Sequence, residues 1–425
     1  MNSFESLSLS PGVLKAVQSA NYREPTPIQT KAIPIALSGH DVLGIAQTGT
    51  GKTAAFAIPV IERLNARRMP SRPRLPRVLI LAPTRELANQ IVADFGVYGR
   101  YSRISALAAY GGVGINPQIG ALARGVDVVV ATPGRLIDLL ERRAIGLDAV
   151  EVFVLDEADR MLDMGFVRDI RRIASRLPKQ RQNLFFSATM PREIEHLVAE
   201  LLTNPAKVEV TPVASTAERI EQQVMFVGSS GKFAALAELL GKSRISRALV
   251  FTRTKHGADR LGKQMARCGF EVGVLHGNKS QKQREVTLQG FRLGRPQVLV
   301  ATDIAARGID VEGISHVINF DVPNVAETYV HRIGRTARAG AAGLAVTLCN
   351  AEEKAYLRDI ERLTRARMAV IGTTEAHELG EPLPRVGKRS PRRRPGRVNS
   401  ASHKNRGEQP SAHRRVVVAS RFSGS

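Results

Sequence analysis

A glycine-rich stretch in the first half of the chain has the residue types and spacing of a phosphate-binding loop. It reads AQTGTGKT at residues 46–53, after an apolar run and before a helical pattern. Such glycines let backbone N–H groups face phosphate oxygens at the start of a helix. Lys52 would reach the β- and γ-phosphates of a nucleotide, and the Thr53 hydroxyl would reach Mg²⁺. Ala46 stands where the usual pattern has glycine, and the competing interpretation is a turn with a chance Gly-Lys-Thr.

A second candidate group is the acidic tetrapeptide DEAD at residues 156–159, which follows the apolar run 152–155. A carboxylate at the end of a strand beside a phosphate-binding loop is where a nucleoside triphosphatase holds its metal. Asp156 would anchor Mg²⁺ largely through water, and Glu157 would orient and deprotonate the attacking water. Alone, the tetrapeptide would more often be a solvated acidic turn, but the upstream loop favours the metal site.

The second half of the chain has no phosphate-binding loop of its own. GSSGK at residues 228–232 is too short and is followed by phenylalanine, so we expect it to begin a helix. Catalytic cations can instead come from the stretch 324–338, where His331, Arg335 and Arg338 are spaced to share one helix face. Arg335 and Arg338 would then point at the γ-phosphate as arginine fingers. The competing interpretation is a basic surface helix with local ion pairs.

Strand-like and helix-like sequence patterns alternate along the chain that holds these groups. Apolar, β-branched runs with helical patterns between them predict parallel strands joined by crossover helices. The expected strands cover residues 42–46, 78–82, 126–131, 152–155, 184–187, 248–252, 272–275, 298–301, 317–320 and 343–348. We therefore predict an α/β fold of two tandem domains with parallel sheets. Their bounds are 1–207 and 221–370, with a linker at 208–220 and a basic tail at 371–425.

Composition limits the class of protein. The 425 residues carry 62 Lys or Arg against 39 Asp or Glu, a net charge of +23, and 43% of them are hydrophobic. That fraction excludes a wholly disordered chain, and the charge suits a polyanionic partner such as nucleic acid. The two cysteines, Cys268 and Cys349, cannot form a disulfide framework and predict reduced thiols in the cytoplasm. We see no signal peptide and no run of about 18 apolar residues, so no membrane span is expected.

Further motifs join these sites in a recognisable order. They are PTPIQ at 25–29, PTREL at 83–87, GG at 111–112, TPGR at 132–135, SAT at 187–189, VFTRT at 250–254, ATD at 301–303, RGID at 307–310 and HRIGRTAR at 331–338. With the phosphate loop and DEAD, the set resembles the DEAD-box RNA helicases, and within them the bacterial RhlE-like subgroup. The resemblance covers about residues 1–370, and the family's own loop opens with alanine.

The resemblance implies two RecA-like domains that bind ATP with Mg²⁺, and RNA, across their cleft. The Gln29 amide would read the adenine edge, Tyr22 would stack on the base with Phe4 nearby, and Asp310 would meet the ribose. The residues that would contact ATP along the loop are Gln47, Thr48, Gly49, Thr50, Gly51, Lys52 and Thr53.

The implied RNA contacts go mostly to phosphate and sugar, because none of the motifs offers a set that reads bases. Ser187 and Thr189 would couple the DEAD loop to His331 by hydrogen bonds. Tryptophan is absent and aromatic residues make up 5%, which argues against an aromatic stacking platform and for sequence-independent binding that senses the 2′-OH. The implied RNA-binding residues are Arg85, Gly112, Thr132, Arg135, Arg253, Thr302 and Asp303.

The implied activity is RNA-stimulated ATP hydrolysis that locally unwinds short duplexes or remodels RNA–protein complexes. The motifs leave open an ATP-dependent clamp or annealing platform in which strand separation is incidental. The residues that make up the motifs disfavour a third alternative, a DNA helicase. Ribosomal subunit precursors and the RNA decay machinery are expected partners. No dimer signature is visible, so we expect a monomer.

The end of the chain carries ten of the 23 surplus positive charges. Residues 381–425 hold 12 Lys or Arg, two acidic residues and one aromatic residue. Such a segment cannot bury enough apolar surface to offset the entropy of ordering, so we predict a disordered tail. Its functional interpretation is a non-specific RNA tether, and the simpler one is a solubilising end.

Overall fold

Two seven-stranded sheets organise the part of the chain that the computed structural model describes. That part comprises residues 3–47, 49–210, 220–242, 245–306, 311, 313–337 and 343–374. All of it falls within one compact unit, residues 1–384. Each sheet with its helices forms a domain, called here the first domain (up to residue 210) and the second domain (from residue 220).

The two domains share one strand topology. The first sheet consists of β1 (Val42–Ile45), β2 (Val78–Leu81), β3 (Ala106–Ala109), β4 (Val128–Ala131), β5 (Val152–Leu155), β6 (Gln182–Ser187) and β7 (Ala206–Glu209). The second consists of β8 (Ile220–Val227), β9 (Ala248–Thr252), β10 (Val272–Leu275), β11 (Val298–Thr302), β12 (His316–Asn319), β13 (Gly343–Cys349) and β14 (Ala369–Thr374). The orders are β3-β4-β2-β5-β6-β1-β7 and β10-β11-β9-β12-β13-β8-β14, so the second repeats the first. All of these pairings are parallel.

Helices connect the strands in both domains. A 3₁₀ turn at Phe4–Leu7 precedes the helices of the first domain, which are α1 (Pro11–Ser19), α2 (Pro27–Leu37), α3 (Lys52–Ala66), α4 (Arg85–Tyr98), α5 (Asn116–Arg124), α6 (Pro133–Glu141), α7 (Ala158–Asp163), α8 (Val167–Ala174) and α9 (Arg192–Leu201). The second domain has α10 (Lys232–Lys242), α11 (Lys255–Arg267), α12 (Gln281–Arg292), α13 (Asp303–Ala306), α14 (Ala326–Ile333) and α15 (Lys354–Thr364).

The central strands are continuous apolar runs because helices cover both faces of each sheet. β2 is VLIL, β4 is VVVA and β5 is VFVL, and every residue in them is buried. Val78 and Ile80 of β2 pack in one core with residues of α2 and α3, whereas Leu79 and Leu81 pack in the core on the opposite face. The alternation along each strand therefore builds one core on each side of the sheet.

The predicted pair of parallel-sheet α/β domains is confirmed, and the ten expected strands are present with shifts of at most two residues at an end. The prediction lacks β3, β7, β8 and β14. Three of these, β3, β7 and β14, lie at sheet edges, where a continuous apolar run is not required. β8 reads IEQQVMFV, and its polar residues hide it from a search for apolar runs.

The stretch that holds His331, Arg335 and Arg338 is only partly helical. α14 ends at Ile333 and Gly334 follows it. The Arg335 N–H donates to the carbonyl of the residue three positions earlier (3.1 Å), so Arg335 lies in a turn. Glycine is a poor helix former, which explains the early end. The three side chains would share one face only if the whole stretch were helical, and the part that the structure describes is helical only to Ile333. Arg338 lies outside the described residues.

The ends of the domains also differ from the sequence prediction. β7 ends and β8 begins on either side of residues 211–219, which lie outside the described residues and hold most of the predicted linker. β14 continues to Thr374, four residues past the predicted end of the second domain at 370. The predicted disordered tail beyond it lies outside the described residues. GSSGK begins α10, as expected. Within the described ranges, none of the helices has the length and apolar character needed to cross a membrane.

Candidate nucleotide and nucleic-acid site

Both sheets place their chemistry-bearing residues at the carboxyl ends of strands. In the first domain the glycine-rich loop follows β1, Arg85 and Thr132 lie just beyond β2 and β4, and Asp156 follows β5. In the second domain Arg253 follows β9 and Asp303 follows β11. Because the strands are parallel, these ends lie at one edge of each sheet, which is where open α/β sheets bind ligands.

The glycine-rich loop turns into α3 through left-handed backbone. Gly49 and Gly51 have φ of +85° and +87°, a region in which a side chain is strained. The Thr50 hydroxyl donates to the Gln47 carbonyl (2.7 Å), which closes the turn. Lys52 begins α3, is only 6% exposed, and its Nζ has no hydrogen-bond partner among the described residues. A buried ammonium group at a helix N-terminus fits an anionic ligand such as a triphosphate.

Gln29 is committed to contacts within the protein. It is fully buried, its Oε1 accepts from the backbone N–H of the N-cap of α2 (2.9 Å), and its Nε2 donates to the Gly51 carbonyl (3.1 Å). Gln29 thus holds the phosphate loop, and its contact with adenine stays a prediction. Tyr22 is 39% exposed, accepts a hydrogen bond from the Tyr98 hydroxyl (3.0 Å), and has Phe4 edge-on at 6.5 Å between ring centroids. The ring is therefore held by neighbouring aromatic side chains while part of it stays exposed.

The two carboxylates that follow β5 have different electrostatic environments. Burial raises the pKa of Asp156 to about 7, with Lys52 opposing and Glu157 adding to the rise. Burial would also raise the pKa of Glu157, but the positive charges of Arg160, Lys52 and Arg335 outweigh it and lower that pKa. Arg160 Nη1 donates to Glu157 Oε2. Glu157 is therefore the ionised carboxylate at neutral pH, while Asp156 lacks enough nearby positive charge to keep a low pKa.

Asp159 ties the DEAD loop to the SAT segment. Its Oδ2 accepts from the Ala188 N–H (3.2 Å), the Thr189 N–H (2.9 Å) and the Thr189 hydroxyl (2.9 Å). The Ser187 hydroxyl donates to the Thr189 carbonyl (2.8 Å) and accepts from the Asp159 N–H (3.3 Å). These contacts join two strand ends of the first domain, and the further link to His331 stays a prediction.

Residues of both domains line one cavity between the two sheets. Arg335 is 6% exposed, and its Nε donates to the His331 carbonyl (3.2 Å). Its charge helps to lower the pKa of Glu157 in the opposite domain. The polar residues that line the cavity include Lys52, Glu157, Asp159, His331, Arg332 and Arg335. The structure therefore brings the ammonium group, the acidic loop and one predicted arginine finger together.

The predicted RNA edge of the first domain is built around a glycine. Gly112 has φ of +80°, a backbone conformation that strains other residues, and the Arg85 guanidinium packs where a Cβ would lie. Arg135 Nη2 donates to the Val113 carbonyl (3.2 Å), which joins α6 to the same glycine-containing loop. Thr132 is the partly buried N-cap of α6. These four predicted contacts thus lie on neighbouring segments.

The predicted RNA edge of the second domain contains a clamp that the sequence reasoning missed. Thr302 pairs in register with Thr252 across β11 and β9. Both carboxylate oxygens of Asp303 accept from Arg332, at 2.5 Å from Nε and 2.7 Å from Nη2. Arg332 is 2% exposed. Asp303 therefore anchors Arg332, and its own contact with RNA stays a prediction. Arg253 has a side chain that is 41% exposed.

Polar contacts join the start of α4 directly to the second domain. Arg85 Nη1 donates to Gln281 Oε1 (3.1 Å), and Arg284 Nη2 lies 2.9 Å from Glu86 Oε1. The side chains of Arg284 and Glu86 are 11% and 10% exposed. Both contacts run between the start of α4 and the start of α12. A residue of the predicted RNA edge thus also touches the opposite domain.

Three of the predicted site residues lie outside the part of the chain that the structure describes. Three other residues make contacts in the site that the sequence did not predict. The predicted site residues outside the described ranges are Thr48, Asp310 and Arg338. The contacts that the prediction missed are made by Asp159, Arg160 and Arg332. All three lie within or directly beside the motifs DEAD and HRIGRTAR, so position in the sequence could have drawn attention to them.

Family models match both domains. Residues 26–197 match the DEAD/DEAH box helicase model, and residues 231–340 match the helicase conserved C-terminal domain model. The chain is 44% identical over 365 residues to the DEAD-box ATP-dependent RNA helicase CshA of Bacillus subtilis, which covers 86% of this chain and 73% of the relative. It is 44% identical over 368 residues to CshA of Geobacillus kaustophilus, covering 87% and 78%. These names give no support to the predicted RhlE-like subgroup.

Solved structures agree with the fold. The structure of S. cerevisiae Dbp5 bound to RNA and ADP BeF3 has a TM-score of 0.78 and 32% identity, covering 87% of this chain and 96% of that chain. The structure of the DEAD-box helicase Mss116 bound to ssRNA and UDP-BeF has a TM-score of 0.79 and 29% identity, covering 88% and 80%. The two domains are RecA-like, as predicted. From its sequence relatives and its two-domain site, the chain belongs to the DEAD-box ATP-dependent RNA helicases and is an RNA-dependent ATPase that unwinds RNA.

Proposed function

We propose that this helicase hydrolyses ATP in the cavity between its domains, with catalytic groups supplied by both domains. Lys52 and the loop at 46–53 hold the triphosphate, Glu157 acts on the attacking water, and Arg335 with Arg338 supplies positive charge from the second domain. The observation that carries the proposal is that Lys52, Glu157 and Arg335 line the same cavity although they come from two domains. Hydrolysis therefore requires the domains to be together.

Glu157 is suited to orient water and accept its proton. Three cations lower its pKa, so it is ionised at neutral pH, and Arg160 holds one of its oxygens in place. A general base needs this combination of ionised state and fixed position. The catalytic arginine stabilises charge that develops on the transferring phosphoryl group, a contribution of about 10³–10⁵ in rate in related phosphoryl-transfer enzymes.

The residues at the end of β5 also fit Mg²⁺. Asp156 is 2% exposed, and burial raises its pKa, so a divalent cation bound there would stabilise the ionised carboxylate. Thr53, partly buried at the start of α3, offers a hydroxyl. We assign Thr53 and Asp156 to hold the ion, largely through water. When bound, Mg²⁺ neutralises charge on the phosphate oxygens.

Selection of the adenine base falls to Tyr22 and Gln29 in this proposal. The partly exposed ring of Tyr22 stacks on the base, and its edge-on contacts with two other rings fix its orientation. The Gln29 amide already bonds the phosphate loop, so base reading and loop position are linked through one side chain. Asp310 is assigned to the ribose from the family resemblance.

RNA lies across the carboxyl edges of both sheets. Arg85, Gly112, Thr132 and Arg135 bind its backbone on the first domain, and Arg253, Thr302 and Asp303 bind it on the second. The support is their common location at strand ends and the direct link from Arg85 to Gln281. Contacts to phosphate and sugar do not depend on sequence. The basic tail adds a further non-specific contact.

The cellular setting is proposed from the sequence alone. The chain acts as a monomer in the cytoplasm, on ribosomal subunit precursors or with the RNA decay machinery. Crosslinking RNA to the chain in cells and mapping the bound transcripts tests this assignment.

The ATP site is tested by the change Lys52→Ala. The variant loses the ammonium group that the loop presents to the phosphates, so RNA-stimulated ATP hydrolysis should fall by at least about 10²-fold. The assay is phosphate release by the full-length chain at saturating RNA. Lys207→Ala is the matched control, because Lys207 is exposed on β7 and lies 2.8 Å from the exposed Glu209. Undiminished hydrolysis by Lys52→Ala would refute the assignment.

A further inference from the structure

Lys232, the last residue of the GSSGK motif, has a defined partner in the second domain. It begins α10 and is 4% exposed. Its Nζ donates to Glu353 Oε2 (2.6 Å) and to the Phe320 carbonyl (2.8 Å). The motif that looks like a shortened phosphate loop thus directs its lysine into the domain, onto a buried carboxylate.

Glu353 connects that lysine to Arg253. It is 4% exposed, and its two oxygens have different partners. Oε2 accepts from Lys232 and from the Asn350 N–H (3.2 Å), whereas Oε1 accepts from Arg253 Nη2 (2.9 Å) and from the Val322 N–H (3.2 Å). Four donors converge on one carboxylate, so its position is fixed by the loops after β12 and β13 and by α10.

Arg253 is held along one edge of its guanidinium group. Nη2 donates to Glu353 and to the Val322 carbonyl (3.1 Å), and the guanidinium lies 5.9 Å from the centroid of the Tyr356 ring. Its backbone N–H donates to Asp321 Oδ2 (2.8 Å). The side chain is nevertheless 41% exposed. Arg253 is therefore a partly exposed cation with a fixed orientation at the carboxyl end of β9, the edge assigned to RNA.

The charged groups in this cluster depend on one another, and a second carboxylate, Asp321, lies 3.8 Å from Lys232 Nζ. Glu353 serves two cations, one buried and one partly exposed. Without Lys232, only the uncharged Asn350 N–H would remain, among the described residues, on Glu353 Oε2 to oppose the attraction of the carboxylate toward Arg253. Without Glu353, the buried Lys232 would lose its nearest counter-charge. A buried ion pair is costly to form and gains little stability over apolar residues, so a role in fixing geometry accounts for it better than stability does.

We propose that Lys232 and Glu353 are positioning residues for RNA binding, which hold the Arg253 guanidinium in the orientation that meets the RNA backbone. The inference rests on the proposed role of Arg253 as an RNA contact. Neither residue touches RNA. They act through the hydrogen bond from Arg253 to Glu353, because a charged hydrogen bond of fixed geometry limits where the remaining N–H groups can point.

The test uses the paired change Lys232→Met/Glu353→Gln in the full-length chain. The pair removes one positive and one negative charge, so net charge and long-range attraction to RNA are unchanged, and no buried charge is left unpaired. We expect the dissociation constant for a single-stranded RNA, measured with a non-hydrolysable ATP analogue, to rise about three- to tenfold. The RNA concentration that half-maximally stimulates ATP hydrolysis should rise by the same factor, with a smaller change in the rate at saturating RNA.

The same pair placed in an Arg253→Ala background separates positioning from a general structural effect. If Lys232 and Glu353 act through Arg253, the pair causes no further loss of affinity there. An equal loss in both backgrounds overturns the proposal while leaving Arg253 as an RNA contact. If Arg253→Ala itself leaves RNA affinity unchanged, the proposed contact fails, and this inference fails with it, while the ATP site stands.

Two further variants distinguish a specific loss of RNA affinity from a loss caused by unfolding. Arg77→Met/Glu151→Gln is the matched control, because that pair (2.8 Å) is also charge-neutral and has a buried arginine, but lies at the amino ends of β2 and β5. It should leave RNA affinity unchanged. Where the Lys232 and Glu353 pair does not yield folded protein, Glu353→Asp withdraws the carboxylate by one methylene and keeps both charges. It should weaken RNA binding only when Arg253 is present, and unchanged affinity overturns the proposal.

Discussion

At the scale of single residues, the site assigns two adjacent carboxylates to different tasks. Asp156 and Glu157 are both buried, yet the pKa of the first is raised and that of the second is lowered. The difference arises because Arg160, Lys52 and Arg335 act on Glu157, whereas Asp156 has Lys52 and a neighbouring negative charge. Pairs of acids whose environments separate their pKa values are typical of acid–base sites.

Replacing Glu157 with glutamine tests this division of roles. Glu157→Gln keeps the size of the side chain but removes the base, so ATP hydrolysis should fall by about 10²–10⁴. ATP-dependent binding of RNA should persist, because Lys52 and the loop remain, and the complex should release RNA slowly. Phosphate release and RNA dissociation are measured on the same preparation. Glu209→Gln, at an exposed position on β7, is the control, and rapid hydrolysis by Glu157→Gln would contradict the assignment.

The sequence predicts which motifs form the site better than it predicts what each residue contacts. The chemistry of Lys52 and Glu157 can be inferred from their residue types, and the structure brings both into one cavity. Gln29 and Asp303 are different, because their polar groups are engaged by Gly51 and Arg332 in the folded chain. Such pairings depend on which loops become neighbours, and residue type alone cannot show this.

At the scale of elements, burial decides what can be predicted. Strands such as β2 and β4, which are covered on both faces, must be apolar throughout and are visible in the sequence. The edge strand β3 reads ALAA and is only partly buried, so nothing in its composition marks it. The end of α14 was also missed, since the spacing of basic residues continues beyond the glycine that ends the helix.

One contact between elements should be sensitive to side-chain shape as well as charge. Arg332 on α14 binds Asp303 at the start of α13 with two nitrogens, and its Nη1 donates to Asn319 (3.1 Å). Arg332→Lys keeps the charge but cannot form this fork, so we expect a loss of about 1–3 kcal/mol in the free energy of unfolding. Urea denaturation of the full-length chain measures it.

The control for this prediction is an exposed pair of the same residue types. Arg362 lies 3.2 Å from Asp359, and its side chain is 80% exposed. Arg362→Lys should change the free energy of unfolding by less than about 0.5 kcal/mol. Equal effects of the two substitutions would show that the Arg332 fork contributes no more than a surface pair.

At the scale of the whole molecule, two sheets of one topology place their carboxyl edges around a shared cavity. The ion pair between Glu86 and Arg284 joins the domains at nearly buried positions. Arg284→Glu would put two negative charges there, and we expect RNA-stimulated ATP hydrolysis to fall about tenfold or more, because like charges oppose the assembled state. The double change Glu86→Arg/Arg284→Glu restores opposite charges and should recover part of the activity. A double variant no more active than Arg284→Glu would contradict a role for this pair in joining the domains.

The dependence of RNA affinity on salt concentration should reveal how much the basic tail contributes to binding. For single-stranded nucleic acid, the logarithm of the binding constant falls with the logarithm of salt concentration with a slope of about −0.7 per phosphate contact. Residues 381–425 carry 12 Lys or Arg, so their deletion should weaken RNA binding and make this slope shallower by several contacts. Binding isotherms at a series of salt concentrations give both quantities.

Composition, and not a particular order of residues, should account for the effect of the tail. A chain with residues 381–425 shuffled keeps the 12 basic residues and should recover both affinity and slope. A tail of equal length with glutamine at the basic positions should behave like the deletion. A tether acts by raising the local concentration of RNA at the two domains, so the loss should be largest at low RNA concentration and low salt. An unchanged slope after deletion would leave only the solubilising interpretation.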